Sequence, residues 1–162
     1  MNIPTPWVDI AGKYLGERET SGPNDSPFIR RMLAALNASW LLGQPWCGIF
    51  VAKVFGEAGL TYPRDYYRAR SWSIWGLGLT APCYGCVVTM ERKGGGHVGI
   101  VIGQTSNGDL VVRGGNQGDA VRDSVFPKDR AGGFNYRWPI GWRMPEQFAL
   151  PTLGGEKSTS EA

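Results

Sequence analysis

An α+β fold is predicted for this 162-residue chain by three observations. Apolar residues recur at helical spacing through the first half, between proline starts and glycine stops. After Gly85 the period changes to short runs rich in β-branched residues, separated by Gly, Asn and Asp turns. The length and a hydrophobic content of 42% suit one compact core. Helices followed by strands, rather than alternating with them, argue for helices packed on an antiparallel sheet.

The elements follow in order. Thr5 is placed to cap a helix with Pro6 at its first position, and Trp7, Ile10, Ala11 and Tyr14 form its apolar face before Gly16. Ser26 and Pro27 repeat that signal for a second helix carrying Phe28, Met32, Leu33 and Leu36. A short loop through Gly43 and Pro45 leads to a third, in which Phe50, Val51, Val54, Phe55 and Ala58 recur at three- and four-residue intervals until Gly59. Tyr66 to Trp75 reads as a fourth, shorter helix. Strands are expected at Val87–Met90, Val98–Ile102, Leu110–Arg113, Val121–Phe126 and Phe134–Trp138. One domain over residues 1–145 and a C-terminal extension over 146–162 complete the chain. The polar end of that extension, from Gly154, is expected to be disordered.

The third helix carries the most informative residue. Cys47 falls in its first turn, where unpaired amide N–H groups and the positive end of the helix dipole stabilise a thiolate. A buried structural cysteine is the competing reading. The chain's one histidine, His97, follows Gly94-Gly95-Gly96 and opens a strand, so a glycine loop lets another backbone come close to it. That pattern suits a base for the thiol better than a core filler. Asn116, in Gly114-Gly115-Asn116-Gln117 after the next strand, offers an amide to accept an imidazole N–H and fix its orientation. It also suits a turn residue that tolerates a left-handed backbone. Gln44, three residues before Cys47, is a candidate donor for an oxyanion, or a plain loop residue. Of the seven tryptophans, Trp46 beside Cys47 and Trp72 in Arg70-Ser71-Trp72 are candidate groove walls.

The blocks Pro45-Trp46-Cys47, Ala69-Arg70-Ser71-Trp72, Gly96-His97-Val98-Gly99 and Gly114-Gly115-Asn116-Gln117, in this order between Pro6 and Pro139, resemble the small cell-wall hydrolases of the NlpC/P60 and CHAP superfamily, in the branch common in phages and prophages. The resemblance implies a papain-like fold, with the nucleophile helix packed on the sheet. It implies hydrolysis of an amide bond in bacterial peptidoglycan, in the peptide stem or at its junction to the sugar. Cys47 would be the nucleophile, His97 the base and Asn116 the orienting residue. Two positions depart from the family pattern. Gly48 stands where Ala or Ser is common, a change worth about 1 kcal/mol of helix propensity, and Cys86 stands where Asp is usual.

Other function classes find less in the sequence. A net charge of +3 and a pI near 8.9 suit an anionic partner, which includes the cell wall as well as nucleic acid. No Lys/Arg-rich run or aromatic RNA-binding motif accompanies that charge. Cys83 and Cys86 form a single Cys-x-x-Cys, which would make a three-ligand zinc site with His97 or pair as a reversible disulfide. No second such pair follows, so neither a metal nor a cofactor is expected. Glu17 and Glu19 are read as surface charge rather than as a glycosidase pair. Residues 1–6 lack the basic start and apolar core of a signal peptide, and no run is long enough to span a membrane. The expectation is a monomer made in the cytoplasm that acts at the wall or in the periplasm, reaching it through a holin or a secretion machine. As a phage product it would lyse a host. As a secreted antibacterial effector it would be met by an immunity protein, and a wall-binding module without catalysis is the remaining alternative.

Overall fold

Three α-helices precede the sheet in the computed structural model, which describes residues 3–20, 26–92, 94–146 and 148–154. Helix α1 spans Pro6–Gly12, α2 Pro27–Ala35 and α3 Cys47–Glu57. Ser26 caps α2, its hydroxyl accepting from the Ile29 amide at 3.2 Å. Thr5 does not cap α1 with its side chain, contrary to expectation; its carbonyl accepts from the Val8 amide instead, at 2.9 Å. The Thr5 methyl group is directed at Gly85, whose φ of +87° and lack of a Cβ leave space for it.

The expected fourth helix is a short 3-10 helix, Ala69–Ile74, and another occupies Ser39–Leu41. In the first of these, Ala69 and Trp72 are the buried positions, and their spacing of three matches the 3-10 repeat. Strands β1 (Leu77–Leu79), β2 (Val87–Arg92), β3 (Gly95–Gln104), β4 (Leu110–Gly114), β5 (Arg122–Phe126) and β6 (Asn135–Trp138) form one sheet in the order β1-β6-β2-β3-β4-β5. Every pairing is antiparallel. The molecule is therefore α+β, and β1, a three-residue Leu-Gly-Leu strand, is the strand the sequence did not announce.

Helix α3 is the hub. It packs on β3 and β4 and against α1 and α2, and its residues from Cys47 to Ala52, with Val54 and Phe55, are buried. A helix apolar on nearly all sides is a central one. Trp7 of α1 stacks on Phe55 at 5.4 Å and donates its indole N–H to the Gly85 carbonyl at 2.7 Å. Arg113 on β4 grips Asp123 on β5 through Nε and Nη2 at 2.8 and 3.0 Å, while its Nη1 donates to the Val8 carbonyl of α1. Beyond β6, the segment 148–154 does not leave the domain: at the end of β3 the Gln104 backbone amide donates to the Pro151 carbonyl and the Gln104 backbone carbonyl accepts from the Leu153 amide, and Leu153 covers Gly103. Residues 155–162, which hold most of the expected disordered tail, lie outside the described residues. No helix among the described residues is long and apolar enough to cross a membrane.

Two glycines set how closely the start of α3 meets its neighbours. A Cβ on Gly115 would lie 2.7 Å from Phe50 Cβ and 2.8 Å from Trp46 Cζ3. A Cβ on Gly48 would overlap the Tyr66 carbonyl oxygen. Helix propensity alone favours Ala over Gly at position 48 by about 1 kcal/mol, yet the space is taken by backbone, which does not yield as a flexible side chain would. Gly48→Ala is therefore expected to destabilise the fold by about 1–3 kcal/mol, seen as a lower urea midpoint at unchanged slope. A midpoint equal to or above that of the parent would contradict this packing.

Candidate active site

Cys47 is the first residue of α3, and His97 is the third residue of β3. Both are buried, Cys47 at 3% exposure and His97 at 0%. Burial alone would raise the thiol's pKa, but a side-chain hydrogen bond and charge interaction with His97, the Val98 amide and the charge of Arg92 together hold it below its ordinary value. Nδ1 of the imidazole has no hydrogen-bond partner of standard geometry.

The other ring nitrogen is held firmly. His97 Nε2 lies 2.9 Å from Gln117 Oε1. The Gln117 amide nitrogen donates to two backbone carbonyls, Val112 at 3.1 Å and Arg122 at 2.7 Å. Those two bonds decide which end of the amide is oxygen, because a nitrogen is the only amide atom able to donate to them. The oxygen must then accept, so His97 Nε2 carries the proton and Nδ1 keeps its lone pair for Cys47. Gly99 and Gly114 make room for this amide: a Cβ on Gly114 would lie 2.6 Å from Gln117 Oε1. Phe126 covers the imidazole at 5.7 Å between ring centres.

The residue that orients His97 is thus Gln117, one place beyond the expected Asn116. Asn116 is itself buried, with φ at +57°, in a turn that continues through Gly118 and Asp119, both also left-handed. It fills the turn role that its residue type also suggested. The signal for Gln117 was present as the second amide of the pair. Alternation along an irregular turn gave no means of choosing between them.

The other candidate positions fall elsewhere. Trp46 and Trp72 do not wall a groove, since both are fully buried. Trp46 packs edge-on against Phe28, and Trp72 donates to the Tyr66 carbonyl at 3.0 Å. Gln44 is exposed in the turn after Ser39–Leu41, its backbone N–H donating to the Leu41 carbonyl, and no hydrogen bond among the described residues joins its side chain to Cys47. Cys83 and Cys86 are buried free thiols in one tight turn, hydrogen-bonded to each other. Burial, then that bond, pushes the Cys86 thiol well up. Among the described residues no group of three or more His, Cys, Asp or Glu side chains is placed to hold a metal ion.

Beside His97 opens a cleft of about 380 Å³, walled by residues that include Ala69, Arg70, Glu91, Gly96, His97 and Asn135. Sequence reasoning missed it, because its sides come from the second 3-10 helix, the β2–β3 hairpin and the approach to β6. Comparison with known proteins adds no relative: no family model, no curated protein and no solved structure matches the chain.

The positioning role of Gln117 has a measurable consequence. In the parent, alkylation of Cys47 by iodoacetamide should titrate below the free-thiol value of about 8.5. Gln117→Ala frees the ring to turn away, and the midpoint should rise toward that value. Asn116→Gly keeps the left-handed turn and should leave the midpoint where it was. An unmoved midpoint in the first variant, or an equal rise in both, would sink the assignment.

Proposed function

We propose that this chain is a cysteine hydrolase of bacterial peptidoglycan, with a papain-like arrangement of nucleophile helix and sheet. The observation that carries the proposal is the Cys47–His97–Gln117 chain. In it a thiol at a helix start has its pKa lowered, an imidazole has one nitrogen fixed by a buried amide, and the other nitrogen is left for proton transfer. Structural cysteines lack such a partner. The four sequence blocks that resemble the NlpC/P60 and CHAP hydrolases contain all three residues, which points the chemistry toward the amide bonds of the wall.

The reaction is acyl transfer. His97 Nδ1 takes the Cys47 proton, and the thiolate attacks the amide carbon. The developing oxyanion lies at the N-terminal turn of α3, where the Cys47 backbone N–H and the helix dipole favour negative charge. His97 returns its proton to the leaving amine, and water then releases the acyl group by the same steps. Gln117 holds the imidazolium through Oε1 without becoming a base itself. No metal or cofactor takes part, and the enzyme acts at the wall, reached through a holin or a secretion machine.

Purified protein should clear suspensions of isolated walls. Cys47→Ser should fold and fail to clear them, and His97→Ala should be slower by about 10² to 10⁴-fold, the usual contribution of a general acid–base. Mass spectrometry of the fragments reads out the bond from its new amino termini. Clearance by Cys47→Ser near the parent's rate would refute the nucleophile, and chelator-sensitive activity would replace the thiol mechanism with a metal-dependent one.

A further inference from the structure

The cleft beside His97 carries a charged pair at its solvent side. Arg70 on the 3-10 helix donates through Nε and Nη2 to the same oxygen of Glu91 on β2, at 3.1 and 2.9 Å. Nη2 also reaches the Gly95 carbonyl at 3.4 Å. Both side chains are 63% exposed. Among the described residues Arg70 Nη1 and Glu91 Oε1 make no hydrogen bond, so each group keeps one polar atom for a ligand. An ion pair this exposed contributes little to stability, and an arginine fork matches a carboxylate better than it matches any other common group.

The geometry points to a carboxylate-reading subsite: Arg70 binds a free carboxylate of the substrate peptide in the cleft, and Glu91 is the internal carboxylate that occupies the guanidinium until the substrate replaces it. This rests on the hydrolase reading, because the cleft is useful to catalysis only if His97 is the base at its wall. The exchange costs little, since one exposed carboxylate is traded for another and no charge is buried in the process. Ser73, Thr89 and Asn135, also in the cleft walls, supply neutral polar groups for the peptide backbone without adding a competing charge.

The two residues then have opposite effects, which a merely structural ion pair would not show. The full chain is assayed with a synthetic stem tetrapeptide bearing either a free C-terminal carboxylate or a carboxamide, and the ratio of kcat/KM for acid over amide is compared. Arg70→Gln should lower that ratio by about tenfold, the loss of one charge-assisted hydrogen bond, through KM. Glu91→Gln should raise it, because the internal competitor is gone. The parent's preference for the acid should weaken with added salt. No preference in the parent, or a shift of both variants in the same direction, overturns the subsite. If the parent cleaves neither peptide and also fails to clear isolated walls, the hydrolase reading fails separately. Calorimetric binding of the same two peptides to the Cys47→Ala chain still decides the subsite, with equal affinity for acid and amide counting against it.

Discussion

The buried amide of Gln117 is the interaction on which the site depends. Its three polar contacts, to the Val112 and Arg122 carbonyls and to His97, leave one orientation of the amide and one tautomer of the ring. Removing any of them would leave a buried polar group without a partner, at a cost of about 1–3 kcal/mol. The network is therefore self-enforcing, in that the fold of the turn from Gly115 to Arg122 and the chemistry of His97 are fixed by the same side chain. A cysteine at a helix start gains only part of its reactivity from the dipole. The rest depends on an imidazole that cannot rotate away.

That amide needs space, and glycine provides it. Gly99 and Gly114 face Gln117 from neighbouring strands, and Gly115 lets Trp46 and Phe50 close on the turn from the α3 side. Gly48 allows the Tyr66 backbone to press against the residue after Cys47. In each case the helix and sheet approach at backbone distance, where an added methyl group would force them apart. The reach between Cys47 and His97 depends on this closeness, so the glycines shape the site through packing.

Much of this was legible before the structure. Helical spacing with Pro starts placed α1, α2 and α3 within a few residues, and the change of period after Gly85 located five of the six strands. Cys47 and His97 stood out because a thiol at a helix start and an imidazole behind glycines are local patterns. What stayed hidden was set by tertiary contacts. Periodicity cannot tell a buried tryptophan from a groove wall, so Trp46 and Trp72 were placed on the wrong side of the surface. Nor does it report on side chains within an irregular turn, where Gln117 rather than its neighbour Asn116 reaches the ring. The same limit applies to Arg70 and Glu91, which lie 21 residues apart and meet only because the 3-10 helix crosses the β2–β3 hairpin.

The central claim is that Gln117 holds His97 as the Nε2–H tautomer with Nδ1 open toward the thiol. Because the chain has one histidine, its two ring nitrogens can be read without ambiguity in a ¹⁵N NMR spectrum. Cys47→Ala removes the thiolate, so the neutral ring can be observed at alkaline pH. The account expects a protonated, pyrrole-type Nε2 and an unprotonated, pyridine-type Nδ1 in that spectrum. A ring protonated on Nδ1, or one that averages between the two tautomers, would contradict it.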